Sequence, residues 1–398
     1  MMRRILGLFL VICLVLGLTG CSADVPAQPL SPASDSGISP VDAPPVTTPG
    51  NLEPTMYAIA LPIIKETVTA EDGTDLFTLS FQRPQIFLND RALEEIIISD
   101  LQDRNSATLT DAAQIEAQAW LDYPQSDLWT EYFIDISYTP TRLDNAILSL
   151  FGNSFSYSGG PHPSLVTDSV TYDLETGSVM YLDDVLTQEC TSDVLYQLVL
   201  DSLSGQEKDL YYDYADALGD RFTGELHSIQ DWYFSRNGLC FHFAPYDIAP
   251  YSSGTIIAEL PYHDLKGILK EKYFPMEASG ATGSIYAEAF TEDCNGHFAS
   301  IASVTLNDNG TDILLYPDAS VTDLRIETGS RYSDSEQYIS SATVFAASSM
   351  NVGDAIHLSA DLGQEDTVLR LVYYADGQEY SAFITYDPTD GSIQLSNN

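Results

Sequence analysis

The sequence predicts an α+β chain: a two-part module of helices packed on antiparallel sheet, followed by a C-terminal β-sandwich. Three observations carry this. Between residues 57 and 275, runs of period-2 apolar alternation are interleaved with runs carrying a helical apolar stripe, as expected when helices pack on a sheet. From residue 283 the stripes stop, and eight short strand-like runs follow, parted by Gly, Asn and Asp turns, which is the pattern of a sandwich. Ahead of both, residues 21–56 hold eight prolines among Ser, Ala, Thr, Asp and Gly, a composition that buries no core and favours extended conformers.

At the N-terminus Arg3 and Arg4 precede an apolar run over residues 5–18. That run is short for a membrane span and right for the core of a signal peptide. It ends Leu18-Thr19-Gly20-Cys21, which resembles the lipoprotein cleavage box. Residues 1–20 are therefore expected to be removed and the Cys21 thiol to take the lipid. Only four residues precede the apolar run, so no cytoplasmic segment is expected. The linker at 21–56, fully extended at ~3.1 Å per residue, reaches on the order of 100 Å into the cell wall.

Residues 57–152 read as a small α+β unit. A strand is expected over 74–81 with Leu76 and Leu79, ended by Arg83-Pro84. Asn89 or Asp90 can cap a helix whose stripe is Leu93, Ile96, Ile97 and Leu101. A second helix is expected over 111–120, then paired strands over 131–139 and 145–150 with Pro140 near their turn. Residues 153–275 form the central domain. It opens with a hairpin of 166–174 and 178–182 about Glu175-Thr176-Gly177. A helix follows, capped by Ser192 and running to 203 with Leu195, Leu198 and Val199 inward, and then a helical stretch over 209–222. Strands over 232–243 and 255–260 and a short closing helix over 264–273 complete it. Residues 276–282 are a small-residue joint. The sandwich, residues 283–398, places strands at 285–290, 301–306, 313–316, 321–328, 340–346, 355–358, 367–374 and 380–386.

Two stretches stand out. Residues 155–163 read FSYSGGPHP, and residues 241–262 read FHFAPYDIAPYSSGTIIAELPY. In the second, Pro245 and Pro250 interrupt strand pairing and Gly254 permits a tight bend, so the residues alone give a hairpin with a rigid corner. The pieces Tyr157-Gly159-Gly160-His162-Pro163, Thr176-Gly177, Leu182-Asp183-Asp184 and Phe243-Pro245-Tyr246-Pro250-Tyr251-Gly254 stand in this order. Together they resemble the RsiV/PdaC-type extracytoplasmic domain, over roughly residues 57 to 275. That family includes a lysozyme-sensing anti-sigma factor and a peptidoglycan deacetylase. The resemblance thus implies a fold and an extracytoplasmic setting rather than one activity, and it names these motif residues as the candidate site.

Acidic residues outnumber basic ones 58 to 16, a formal charge of −42. Loss of Arg3 and Arg4 leaves 14 basic against 58 acidic residues, or −44. Such a surface repels nucleic acid and anionic lipid and attracts basic proteins. No Gly-x-Ser-x-Gly elbow, phosphate loop or His-x-x-x-His metal motif occurs, and the six histidines are isolated in sequence. His162 in its Gly-Gly-Pro-His-Pro turn is read as fixing that turn, with ligand or metal binding the other role open to it. Cys190, Cys240 and Cys294 remain after processing, with no spacing that demands a bridge or a zinc site. No enzyme activity, cofactor or metal is expected. The expectation is a lipid-anchored binding module on the outer face of the cytoplasmic membrane, with lysozyme-like proteins as the implied ligand. The alternatives are peptidoglycan or other wall glycan, bound or modified, and an adaptor that uses the sandwich for a protein partner.

Overall fold

The computed structural model describes residues 56–125, 128–275, 281–307, 310–331, 338–362, 368–387 and 389–396. The signal peptide, Cys21, nearly all of the Pro-rich linker and most of the joint at 276–282 lie outside them.

The chain begins with β1 (Ala58–Ala60), β2 (Ile63–Thr69), β3 (Asp75–Gln82) and β4 (Gln85–Phe87). Next comes α1 (Arg91–Asp122), capped by Asp90, whose carboxylate accepts the Ala92 N–H at 2.8 Å. Two helices were expected here. The intervening residues 102–110 contain neither Gly nor Pro, so nothing interrupts the backbone ladder and one 32-residue helix forms. Its Ile97, Leu101, Ala112 and Ala119 are buried. β5 (Tyr132–Leu143), β6 (Ile147–Tyr157) and β7 (Ser164–Asp173) complete a five-stranded sheet of order β2-β3-β5-β6-β7. The sheet is antiparallel except between β3 and β5, which α1 joins as a crossover. Pro140 lies within β5, not at its turn. The register slips between Pro140 and Arg142, a bulge where a missing N–H is tolerated. The turn itself is made by Asp144, which accepts the N–H groups of Ala146 and Ile147 at 2.8 and 3.0 Å. Residues 152 and 153, where the central domain was expected to begin, are neighbours inside β6.

The second layer holds α2 (Leu182–Val185), α3 (Ser192–Ser202), α4 (Tyr214–Arg221) and the antiparallel sheet β10-β9-β8, from β8 (Trp232–Phe234), β9 (Gly238–Phe243) and β10 (Ile256–Pro261). Its core includes Leu182, Leu195, Val199, Leu218, Phe234, Phe241, Phe243 and Leu265. Four local expectations are corrected. Thr191 rather than Ser192 caps α3, accepting the Val194 N–H at 3.3 Å. Residues 178–182 add a single bridge, Tyr172 to Val179, because α2 begins at Leu182. Residues 232–243 are a hairpin, turned where the Ser235 hydroxyl accepts the N–H groups of Asn237 and Gly238. Residues 264–269 form turns, with Gly267 at φ 84°, and the expected helix shrinks to a single tight helical turn at Glu271–Tyr273.

The C-terminal strands are β11 (Ile285–Ala289), β12 (Ser300–Thr305), β13 (Thr311–Pro317), β14 (Val321–Arg331), β15 (Tyr338–Met350), β16 (Asp354–Ala360), β17 (Val368–Ala375), β18 (Gln378–Tyr386) and β19 (Ile393–Ser396). All eight expected strands form, and β19 is added. A four-stranded sheet, β11-β13-β16-β12, faces a seven-stranded one, β19-β18-β17-β14-β15-β1-β4. The larger sheet therefore includes two strands from the start of the chain. β1 pairs with β15, Ala58 opposite Ala347 and Ala60 opposite Phe345. Ala58 and Ala60 enter the sandwich core, while Ile59 between them enters the core under α1, the period-2 alternation of one strand serving two cores. Buried Gln82 stitches the same seam: its amide oxygen accepts the Tyr138 N–H at 2.5 Å and its amide nitrogen donates to the Thr343 carbonyl at 3.1 Å.

Candidate functional site

The two outstanding stretches meet. β6 ends at Tyr157, whose hydroxyl donates to the Gly160 carbonyl at 3.1 Å across the turn into β7. Gly159 and Gly160 stand at φ 94° and 111°, where a side chain is strained. A Cβ at Gly159 would also lie 2.8 Å from the Tyr132 hydroxyl, whereas Gly160 faces open space. Beyond Pro161, His162 brings Nδ1 within 2.8 Å of the Pro163 carbonyl. A carbonyl only accepts, so the proton sits on Nδ1 and Nε2 is left as an acceptor. Nε2 is met by the Tyr246 hydroxyl at 3.3 Å, and the imidazole stacks on Tyr251 with ring centroids 4.0 Å apart. Tyr246 and Tyr251 are themselves 5.9 Å apart.

The loop that presents the two tyrosines is held from behind. Phe243, Ile248 and Ala249 are buried. The Asp247 carboxylate accepts the Ala244 N–H at 2.8 Å and a guanidinium N–H of Arg221 at 2.5 Å. Arg221 also pairs with Asp231 and lies 5.6 Å over the Phe243 ring. Pro245 precedes Tyr246, which adopts φ 78° and donates its N–H to the Ala249 carbonyl at 2.8 Å. Pro250 then starts a single tight helical turn, Tyr251–Ser253, closed by Gly254 at φ 68° and ψ −154°, a region open essentially to glycine alone. Tyr246 is 58% exposed on this scaffold. The neighbouring segment is drawn alongside by two bonds, Tyr211 N–H to the Ile248 carbonyl at 2.9 Å and the Ser253 hydroxyl to the Asp209 carbonyl at 2.9 Å. It adds exposed Tyr211 and Tyr212. The result is a surface of tyrosines and one histidine, with Asp209, Asp213 and Asp247 in the same segments.

Residues 183–263 match the family model described as "Protein of unknown function (DUF3298)". Two solved structures of DUF3298 members are similar. One, from Bacteroides fragilis NCTC 9343, has 19% identity and a TM-score of 0.40, covering 54% of this chain and 94% of its own. The other, from Pseudomonas aeruginosa PAO1, has 16% identity and a TM-score of 0.38, covering 55% of this chain and 97% of its own. No curated protein matches the chain.

The DUF3298 match takes in Tyr246, Tyr251 and the loop between them, while the His162 turn lies ahead of it. Asp183, at its start, is not part of the platform. Its carboxylate lies 3.2 Å from Nδ1 of His227, whose ring stacks on Tyr181 at 3.9 Å. Thr176 and Gly177 are also elsewhere. Gly177, at φ 73°, lets the β7 turn close on α1, where a Cβ would meet Ile96 at 3.2 Å. Sequence reasoning missed Arg221, Asp231 and Asp247, the anchors of the loop, because only the fold brings α4 under it.

His242 was also read as isolated. Among the described residues it is the one buried histidine, 1% exposed, 5.2 Å from the Phe151 ring. Nδ1 lies 3.1 Å from the Thr167 hydroxyl and Nε2 2.9 Å from that of Ser169. The Ser169 hydroxyl has a single hydrogen, and carbonyls of Trp232 and Gln230 stand 2.8 and 3.2 Å away to take it, so Nε2–H donates to Ser169 and Nδ1 accepts from Thr167. Burial pushes the imidazole below its usual pKa, against the pull of Asp231 and Asp168. Cys190, Cys240 and Cys294 are separate buried thiols, and burial raises Cys190 to about 11 and Cys240 to about 12. Among the described residues no group of three His, Cys, Asp or Glu is placed to hold a metal ion, and no helix is long and apolar enough to cross a membrane.

Proposed function

We propose that this chain is a non-catalytic lipoprotein, anchored through Cys21 to the outer face of the cytoplasmic membrane, whose tyrosine platform binds a basic protein of the lysozyme type. The observation that carries the reading is Tyr246: a large side chain in the left-handed region, buttressed by Arg221 and Asp247, and yet 58% exposed. Strain of this kind persists where the surroundings impose it, and it clusters at ligand-binding positions. Tyrosines are enriched among the anchors of protein interfaces, because they bring large contact area at low entropy cost. The acidic surface supplies a complementary field for a cationic partner. The RsiV/PdaC-type resemblance, with its lysozyme-sensing member, points the same way.

A wall glycan is the second reading, favoured by the flat His162–Tyr251 stack, on which a sugar ring can lie. One capture experiment separates the two. Residues 22–398, immobilised, are offered animal-type lysozyme and soluble peptidoglycan fragments, with Tyr246→Ala in parallel. Retention of lysozyme that is lost in the variant supports the proposal. Equal retention by both proteins sinks it, and retention of fragments alone moves the function to the second reading.

A further inference from the structure

A cavity of about 580 Å³ opens where the β5 bulge, the β8–β9 turn and β14 of the sandwich meet, within the range of small-molecule sites. It lies at the far end of β9 from Tyr246, so it is distinct from the platform. The chain has 16 basic residues against 58 acidic ones, and yet three arginines line this one space: Arg142, Arg236 and Arg325. Arg142 is spent, donating to Asp144, Tyr262 and the Tyr273 carbonyl at 2.6 to 2.8 Å. The other two are not. Arg236 lies flat on Tyr374, 3.4 Å from the ring centroid, and touches Asp323 through one nitrogen at 3.0 Å. Arg325 stands 3.7 Å from Glu327 and 3.5 Å from Glu379, beyond the 2.7–2.9 Å of a good charge-assisted bond. Each guanidinium offers five N–H donors, and these pairs engage Nη2 of Arg236 and Nε and Nη2 of Arg325.

The local backbone is unusual. Asp323 takes φ 48° in a strand, and the β14–β17 register slips between Thr322 and Arg325. The bulge places consecutive lining residues on the cavity, and the Thr322 hydroxyl there is buried with no partner. We propose that this cavity binds a small organic carboxylate, gripped by the guanidinium groups of Arg236 and Arg325. Three guanidiniums line the cavity against two carboxylates, Asp144 and Asp323, with Glu327 and Glu379 beside Arg325 outside the lining, so the anion is held by directed guanidinium bonds rather than by excess charge. Two planar oxygens match the guanidinium fork better than a point anion does. Pro140, Leu143 and Pro275 supply an apolar wall for the rest of the ligand.

The test is a fluorescence titration of residues 22–398 with dansylglycine, a carboxylate on an aromatic body, against dansylglycine amide, its neutral counterpart. Saturable enhancement is expected for the acid, with the amide at least about tenfold weaker, since hydrogen bonds to charged groups carry more than the tenfold step. Arg236→Gln and Arg325→Gln should each weaken the acid by about tenfold or more and leave lysozyme capture and the melting midpoint unchanged. Equal affinity for acid and amide overturns the proposal in the wild type alone, whatever the variants do. No saturable signal with the acid, or unweakened binding in both folded variants, overturns it equally.

Discussion

At the scale of single residues, Tyr246 makes a costly choice: left-handed backbone is worth roughly 1–2 kcal/mol against a non-glycine residue, and its side chain gains little burial in return. Gly159 is the same economy reversed, a residue kept bare because both its φ and the Tyr132 hydroxyl forbid a side chain. Gly159→Val should therefore lower stability by about 1–3 kcal/mol, and by more than Gly160→Val, where only the backbone objects. Urea unfolding of the two variants checks the order. His242 gives a pH dependence with a definite sign. Its folded pKa is depressed below the unfolded value near 6.5, so below that pH the unfolded chain takes up a proton that the folded chain resists. Stability should be intact above about pH 6.5 and fall, by at most about 1.4 kcal/mol per pH unit from this group, as pH drops towards the folded pKa. His242→Gln, which can keep bonds to Thr167 and Ser169, should remove that part of the slope in thermal melts between pH 5 and 7. The motif residues were legible because glycines and prolines constrain backbone wherever they stand. That His162 stacks on Tyr251 was not, since the two are far apart in sequence and no spacing encodes a contact made by β6, β7 and β9 together.

At the scale of elements, β1 ties the molecule together. It is three residues long, with Ala58 and Ala60 facing the sandwich and Ile59 the core under α1. A chain ending at residue 275 would lose β15, and with it one of the two sheet partners of β1 and the Thr343 carbonyl bonded by Gln82. We expect residues 56–275 alone to melt below the longer chain or to aggregate through the bared edge of β1. A melting midpoint equal to that of residues 22–398 would show that the seam contributes nothing. The eight expected strands of the sandwich were readable because half-buried sheet imposes a period of two, and each runs five residues or more. β1 was not, because Ala-Ile-Ala carries too little pattern to separate a strand from a loop. The one long helix was read as two for the opposite reason: polar residues 102–110 carry little stripe, but the continuous backbone ladder does not require one.

At the scale of the whole molecule, a formal charge of −42 sets a long-range field, and the platform sets what happens at contact. The two act on different rates. The field governs encounter and is screened by salt, with a Debye length of about 8 Å at 0.15 M, whereas buried tyrosine contacts govern release. Charge alone would hold any basic protein weakly. The most direct test is therefore kinetic: association and dissociation rates of residues 22–398 with lysozyme, at low and at physiological salt, for wild type and Tyr246→Ala, with cytochrome c as the basic control. Salt should slow association while leaving lysozyme dissociation nearly unchanged, Tyr246→Ala should speed dissociation by about tenfold or more at an unaltered association rate, and cytochrome c should lose binding at physiological salt. Lysozyme and cytochrome c dissociating alike, or a Tyr246→Ala protein indistinguishable from wild type, would contradict the proposed binding.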